Sequence, residues 1–171
     1  MDILMWGREP VGGPFALIDH NGRPRTDEDF RGKLVLVYFG FTYCPDICPT
    51  DLQNIGLALD QLGQEAEKVQ PLFITVDPER DTAEHLKEYL QSFHPSFIGL
   101  TGDTPAIRAA ADAFKVYYAR VSNSQGDDYT VDHTAFIYLM GADGGYVGFF
   151  PPGTSAERIA ETLRKQLARR S

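Results

Sequence analysis

The sequence has little cysteine, no excess of positive charge and no long apolar run. Only two of its 171 residues are cysteine, too few for the disulfide framework of a small secreted domain. Its formal net charge is −8, which argues against a nucleic-acid partner because such proteins usually present a basic face. The longest apolar run, residues 34–43, is much shorter than the roughly 20 residues that a helix needs to cross a bilayer.

The N-terminus also lacks the features of a targeting segment. Residues 1–6 carry no basic region and no small-residue cleavage site, so we predict no signal peptide there. Glycine and proline are frequent from Gly7 to Pro14. We therefore expect residues 1–14 to be a flexible segment and residues 15–171 to form a single domain, long enough to bury an ample core.

Apolar patterns predict alternating strands and helices. A short strand at residues 15–18 precedes an Asn-Gly turn, which is typical of a hairpin. The run 34–39 is apolar at every position, as in a central strand buried on both faces. A helix is predicted from Pro49 to Gly63. The other predicted elements are strands at 71–77, 97–100, 134–139 and 146–150, an inserted hairpin at 116–131, and helices starting near the signals Asp81/Glu84, Thr104/Pro105 and Thr154/Glu157.

This order of elements predicts an α/β fold. Strands alternating with helices, followed by a hairpin and a last helix, give a thioredoxin-like mixed sheet flanked by helices. We expect an N-terminal hairpin and an inserted hairpin near residues 116–131 as additions to it. Functional sites in such sheets form at the carboxyl ends of strands. The first strand-to-helix junction, which holds both cysteines, is therefore the expected site.

Cys44 and Cys48 form a C-x-x-x-C pair, one residue wider than the C-x-x-C of thiol-disulfide enzymes. Pro49 suits the first helical position, which would place Cys48 near the N-cap and Cys44 one short turn earlier. The partial positive charge of a helix N-terminus lowers a thiol pKa, as a nucleophile or a metal ligand requires. The pair could exchange electrons, bind a metal or form a structural bond, and we favour the first two.

A metal held by this pair would need further ligands. Cu(I) accepts two thiolates and one imidazole, whereas zinc prefers four ligands and no third cysteine is present. His133 directly precedes the predicted strand 134–139, and in a thioredoxin-like sheet that position faces the thiol loop. We expect the other histidines to have ordinary roles: His20 solvated in the Asn-Gly turn, His85 exposed in the first turn of a helix, and His94 as a C-terminal cap.

At this point the chain resembles the Sco/SenC family of copper-binding, thioredoxin-like cytochrome c oxidase assembly proteins. The matching stretches are YFGFTYCPDICP at residues 38–49, VDPERDT at 76–82, GLTG at 99–102 and DYTVDHT at 128–134. They occur in the family's order and extend from about residue 10 to the last helix. The combination is highly specific, although C-x-x-x-C alone would be a weak signal.

The resemblance implies that Cys44, Cys48 and His133 bind copper, as Cu(I), Cu(II) or both. It also implies that Asp77 lies near the metal without binding it; the alternative for Asp77 is a turn or cap carboxylate. Asp46, between the cysteines, is expected to be a solvated or capping acid.

The function implied is that of a metallochaperone. It would receive copper from a donor protein and deliver it to a cytochrome c oxidase subunit, for assembly of the oxidase copper centre. The alternative is a thiol-disulfide oxidoreductase in which Cys44 and Cys48 act on cysteines of that subunit, so whether the chain is an enzyme stays open. A peroxidase, which would want an arginine beside a reactive cysteine, is the least favoured, since Arg31 and Arg80 have no evident placement.

Family members usually carry a transmembrane helix before this domain. Residues 1–14 hold no such helix, so we expect them to be a trimmed end beginning with an added Met, or a linker next to an anchor; a soluble family member is the alternative. The expected location is the bacterial periplasm, with the full-length protein anchored in the inner membrane. The mitochondrial intermembrane space is the alternative.

Overall fold

The structure is a computed structural model that describes residues 11–42, 47–116, 118–122, 129–133 and 136–169. For residues 47 and 48, both strands of the inserted hairpin and Arg169, it describes the backbone only. No helix within these ranges is both long enough and apolar enough to cross a membrane. The elements in order are β1 (Ala16–Asp19), β2 (Pro24–Thr26), β3 (Leu34–Gly40), α1 (Ile47–Leu62), β4 (Val69–Thr75), α2 (Ala83–Gln91), β5 (Ile98–Thr101), α3 (Thr104–Ala113), β6 (Tyr118–Ser122), β7 (Tyr129–His133), β8 (Ile137–Met140), β9 (Tyr146–Phe150) and α4 (Ala156–Arg169).

Seven of the strands form a mixed sheet in the order β2-β1-β5-β4-β3-β8-β9. The pairs β3–β4 and β4–β5 are parallel, and the remaining pairs are antiparallel. β6 and β7 form a separate antiparallel hairpin, whose tip at residues 123–128 lies outside the described residues. The predicted α/β fold is confirmed, including the N-terminal hairpin β1–β2 and the inserted hairpin.

β3 lies between two layers of the core because it is apolar on both faces. All seven of its residues are buried. Alternate residues from Leu34 to Tyr38 join a cluster with α1, α2 and α4. The other side chains of the strand, Val35, Val37 and Phe39, join a second cluster that includes α3. Helices therefore cover both faces of the sheet and fix the direction in which β3 delivers the chain to the cysteine loop.

α1 begins two residues earlier than predicted. Its first residue is Ile47, so Pro49 is the third helical residue and Cys48 the second. Proline is tolerated there because the first four N–H groups of a helix have no acceptor within it. Cys48 therefore lies in the first turn of α1 rather than near its N-cap. The helix ends at Leu62, one residue before the predicted end at Gly63, whose φ of 63° is left-handed, as is common for a glycine that follows a helix.

The predicted capping boxes of α2 and α4 are wrong. Thr82, not Asp81, caps α2, because its side chain accepts the backbone N–H of His85 at 3.2 Å. At α4 the side chain of Ser155 accepts the N–H of Arg158 at 3.3 Å. The Thr154 hydroxyl instead donates backwards to a carbonyl at 2.6 Å. Both boxes were misplaced by one residue, since a neighbouring side chain with the same chemistry reaches the free N–H.

The chain contacts the domain from Val11 onward. Val11 is buried, and the N–H of Gly12 donates to the carbonyl of Ala113 at the end of α3, at 2.8 Å. The last four residues of the predicted N-terminal segment, 11–14, therefore lie against α3. Residues 1–10 are outside the described residues.

A buried carboxylate organises the β1–β2 hairpin. Asp19 is 1% exposed and accepts the backbone N–H groups of Asn21 at 2.9 Å and Arg23 at 3.0 Å. Its other oxygen pairs with Nε of Arg25 at 2.9 Å. Burial alone would raise the pKa of Asp19, but these hydrogen bonds and the Arg25 charge lower it below its ordinary value of 3.8.

We predict that Leu59 and Leu57, two residues of α1, differ sharply in their contribution to stability. Leu59 is 1% exposed and Leu57 is 46% exposed. Leu59→Ala should lower the free energy of unfolding by about 2–5 kcal/mol, because it leaves a cavity in the core. Leu57→Ala should change it by less than about 0.5 kcal/mol. Urea denaturation of both variants measures this, and equal losses would contradict the burial of α1 described above.

We predict that Asp19→Asn changes how stability depends on pH. Because the folded-state pKa of Asp19 is lowered, its stabilising contribution is complete above pH 3.8 and is lost as the pH falls through the folded pKa. The wild type should therefore exceed Asp19→Asn in free energy of unfolding above pH 3.8, and this advantage should shrink on acidification. Urea unfolding at a series of pH values tests this. A difference that stays constant with pH would contradict it.

Candidate functional site

The candidate site lies where β3 and β4 end. The parallel register pairs Gly40 with Thr75 at the last position of both strands. Directly beyond it, the N–H of Val76 donates to the carbonyl of Gly40 at 2.8 Å. The chain that leaves β3 toward Cys44 therefore runs beside the chain that leaves β4 toward Asp77. Both depart from the carboxyl edge of the sheet, where sites in this class of fold form.

The predicted copper ligands fall at the limits of the described structure. Cys44 and Asp46 lie outside the described residues, and Cys48 is seen only as backbone in the first turn of α1. His133 is the last residue of β7, paired with Tyr118 across the hairpin, so it ends the inserted hairpin. Among the described side chains, no cluster of three or more His, Cys, Asp or Glu could hold a metal. The ligand set and the lowered thiol pKa values stay predictions.

Asp77 lies two residues beyond β4, so the prediction that it ends this strand is wrong. It is 3% exposed, and its carboxylate forms an ion pair with Nε of Arg80. Its carbonyl accepts the N–H groups of Arg80 at 3.2 Å and Asp81 at 2.9 Å. Asp77 therefore closes a turn, in agreement with its alternative as a turn carboxylate. Its closeness to a bound metal stays a prediction.

The sequence analysis missed Asp81, which it assigned to a helix cap. Asp81 is fully buried, at 0% exposure. One carboxylate oxygen accepts the Thr42 hydroxyl at 2.6 Å, and the other accepts the Thr42 N–H at 3.0 Å. The second oxygen also accepts the hydroxyl of Thr75 at 2.8 Å. Asp81 thus connects the exit of β3 to the exit of β4.

The surroundings of Asp81 disfavour its negative charge. Burial raises the pKa of Asp81 above its ordinary value of 3.8, and the charge of Asp77 adds to this rise. The hydrogen bonds from Thr42 and Thr75 oppose it, because they stabilise the carboxylate. The hydrogen-bond donors thus partly offset the unfavourable burial of the Asp81 charge.

His85 belongs to the same network. Its Nε2 lies 2.7 Å from the hydroxyl oxygen of Thr42. Since that hydroxyl donates its proton to Asp81, its oxygen must accept from a protonated Nε2. The expectation that His85 is an exposed surface group is wrong, because its side chain is half-buried and bonds Thr42.

The solvated role expected for His20 is also wrong, and His94 has contacts beyond the expected cap. His20 is half-buried, and its Nδ1 accepts the N–H of Gly99 at 3.0 Å; burial lowers the pKa of His20 below its usual value. His94 accepts the N–H of Ser96 through Nδ1 at 3.1 Å, and its Nε2 lies 3.3 Å from a carboxylate oxygen of Asp60 in α1. The backbone N–H of His94 also donates to the carbonyl of Leu90 in the last turn of α2 at 3.3 Å, so His94 caps α2 as expected and links it to α1 through its ring.

The start of α1 is fixed by a second buried carboxylate, Asp51, which the sequence analysis did not single out. Asp51 is 1% exposed, accepts the phenol of Tyr38 in β3 at 3.0 Å, and accepts the N–H of Gly153 at 2.9 Å. It stands three residues after Cys48 on α1. The sheet and the segment before α4 thus hold the helix turn that carries the second cysteine.

A signal for Asp81 was present in the sequence. The stretch VDPERD holds two aspartates four residues apart, and only one of them, Asp77, was considered for the site. What the sequence lacks is the partner, because Thr42 stands 39 residues earlier and becomes a neighbour only through the β3–β4 pairing.

Comparison with known proteins covers nearly the whole chain. The SCO1/SenC family model matches residues 5–168. The SCO2-like protein of Rickettsia prowazekii is 49% identical over 158 residues, 91% of this chain and 77% of the relative. The human mitochondrial SCO2 homolog is 46% identical over 158 residues, and the chain spans 59% of its length.

Solved structures with the same fold include copper-bound proteins. Bradyrhizobium japonicum ScoI with copper bound has a TM-score of 0.85 and 46% identity, over 91% of this chain and 99% of ScoI. BsSco, described with a disulfide switch and as a member of the Sco family of cytochrome c oxidase assembly proteins, has a TM-score of 0.71 and 25% identity, over 95% and 96%. These matches bear out the thioredoxin-like fold and the resemblance found in the sequence motifs, and the chain belongs to the SCO1/SenC family.

Proposed function

We propose that this protein binds one copper ion through Cys44, Cys48 and His133 and delivers it for assembly of the copper centre of cytochrome c oxidase. The observation that carries the proposal is the 46% identity to copper-bound ScoI over 91% of the chain. The donor set also suits the ion, since two soft thiolates and one imidazole are ligands that Cu(I) favours. Copper is the cargo of this function, not a resident catalytic group.

The position of the cysteine junction supports transfer between proteins. Cys48 lies in the first turn of α1, at the carboxyl edge of the sheet, where the chain connects elements rather than filling the core. A Cu(I) ion with three protein ligands stays open on one side. An incoming thiolate or imidazole of a partner could bind on that side before the ligands of this chain leave. The copper donor and the receiving oxidase subunit would each use this exchange.

The partners and location are proposed from the relatives. BsSco is described as belonging to a family of cytochrome c oxidase assembly proteins, and the human relative is mitochondrial. We propose an oxidase subunit as acceptor and a copper-carrying protein as donor. For the location we propose the bacterial periplasm, with an anchor in the full-length protein, and the mitochondrial intermembrane space as the alternative.

A second candidate function is thiol-disulfide exchange. The disulfide switch in the description of BsSco favours it. The reduced pair would pass two electrons to a disulfide of the oxidase subunit, leaving a Cys44–Cys48 disulfide here and two thiols on the target. Copper has to leave before these thiols oxidise, so one chain could perform both roles in turn.

We predict that reduced wild-type protein binds one Cu(I) per chain and that His133→Ala binds it more weakly. Cys44→Ser and Cys48→Ser should each lose most of the binding, because a thiolate ligand is removed. His94→Ala is the matched control, since this histidine already bonds Ser96 and Asp60 and should leave binding unchanged. Titration against a Cu(I) chelator with metal analysis measures these affinities. Equal affinity of wild type and His133→Ala would contradict the proposed ligand set.

A separate assay distinguishes the two candidate functions. We predict that the metal-free protein reduces a peptide disulfide slowly compared with the rate at which it exchanges copper. Titration of the thiols released from the peptide measures the reduction. Rapid reduction that persists in His133→Ala and needs no copper would favour the oxidoreductase over the chaperone.

A further inference from the structure

Two hydrogen bonds from Thr42 to Asp81 are the main feature of the site to which no function has yet been given. Thr42 stands two residues before Cys44 and is the last described residue before the cysteine loop. Asp81 binds it twice, through its backbone N–H at 3.0 Å and through its hydroxyl at 2.6 Å. A contact to a hydroxyl alone would restrain one side chain. The added contact to the N–H restrains the path of the backbone itself.

Asp81 is also hydrogen-bonded to the end of β4. Asp81 is fully buried, and its third bond goes to the Thr75 hydroxyl at the end of β4. The Thr75 hydroxyl oxygen in turn accepts the N–H of Asp77 at 2.9 Å. The carboxylate is therefore held by the end of β4 as well as by Thr42.

His85 completes the restraint from the side of α2. Its Nε2 donates to the hydroxyl oxygen of Thr42, and its backbone N–H is bonded by the α2 cap at Thr82. Thr42 thus makes described hydrogen bonds to two residues, Asp81 and His85, that belong to a different part of the chain. Asp77, in contrast, directs its described ion pair at Arg80.

We propose that Asp81 is a positioning residue for the cysteine loop, which sets the placement of Cys44 relative to Cys48 by holding Thr42 through both its hydroxyl and its backbone N–H. In its effect on copper this inference rests on the proposed function. In its effect on the two thiols it does not, because the spacing and reactivity of the cysteines can be measured in metal-free protein. Asp81 acts through Thr42 and is not itself a ligand.

Four variants separate positioning from general stability. Asp81→Asn keeps the size of the side chain but replaces one accepting oxygen by a donor. Thr42→Val removes the hydroxyl and leaves the backbone bond, and it tests the proposal even where Asp81→Asn fails to fold. Thr42→Ser restores the hydroxyl. Asp19→Asn is the matched control, because Asp19 is an equally buried carboxylate with three donors, in the N-terminal hairpin.

Three readouts apply to each folded variant. The first is Cu(I) affinity by chelator competition. The second is the energy of the thiolate-to-Cu(II) charge-transfer band, which reports ligand geometry and not stability. The third is the rate at which iodoacetamide alkylates each cysteine in the reduced, metal-free protein.

We expect Asp81→Asn to lower Cu(I) affinity by about tenfold or more, as loss of a group that orients a metal ligand typically does. The charge-transfer band should shift, and the alkylation rate of Cys44 should change more than that of Cys48. Thr42→Val should change the same readouts in the same direction, and Thr42→Ser should restore them. Asp19→Asn should match the wild type in all three.

Two results would overturn the proposal. One is wild-type affinity, spectrum and alkylation rates in folded Asp81→Asn or Thr42→Val. The other is a change in Asp19→Asn as large as that in Asp81→Asn, which would show a general effect of destabilisation. A wild type that binds no copper would contradict the proposed function instead, and the alkylation rates would still decide the role of Asp81.

Discussion

The parallel pairing of β3 with β4 is the constraint on which the rest of the site depends. It runs over seven residue pairs without a break, from Leu34 with Val69 to Gly40 with Thr75. A slip of β3 by one residue would exchange its two faces. Both faces are apolar, but each is close-packed against a different set of side chains, so the slip would disrupt both layers of the core. The register therefore determines which residues emerge together at the carboxyl edge, and these are the chains leading to Cys44 and Asp77.

Polar side chains then make that edge specific. Three buried carboxylates hold the chain in place: Asp19 closes the N-terminal hairpin locally, whereas Asp51 under the start of α1 and Asp81 between the two strand exits join segments far apart in sequence. Each is satisfied by several donors, as burial of a charged group requires. Asp51 fixes the helix that carries Cys48, and Asp81 fixes the backbone that leads to Cys44. The C-x-x-x-C segment therefore lies between two anchored points, Thr42 on one side and the start of α1 on the other.

The sequence predicted the features that depend on local pattern. The all-apolar run that became β3, the Asn-Gly turn between β1 and β2 and the glycine after α1 are each decided by a few adjacent residues. It failed where two adjacent residues offer the same chemistry. Asp81 and Thr82 can both cap a helix, and only the tertiary structure, which brings Thr42 beside Asp81, decides between them. The same reason explains His85 and His20, which look exposed in the sequence and bond to partners 43 and 79 residues away. The three proposed ligands rest on motif and resemblance, with His133 now assigned to the end of β7.

Anchoring both ends of the loop has consequences for the choice between the two candidate functions. A chaperone needs thiolates placed well enough to bind Cu(I), yet free enough for a partner to remove it, which favours a fixed base with mobile ligands over a fully rigid cage. An oxidoreductase needs the same two sulfurs to reach bonding distance of about 2 Å in one state and to separate in the other. The proposed role of Asp81 would bear on both functions, because both use the position of Cys44. If the chain performs both, copper binding and disulfide formation would compete for the same two sulfurs, and the redox state of the pair would determine when copper can bind.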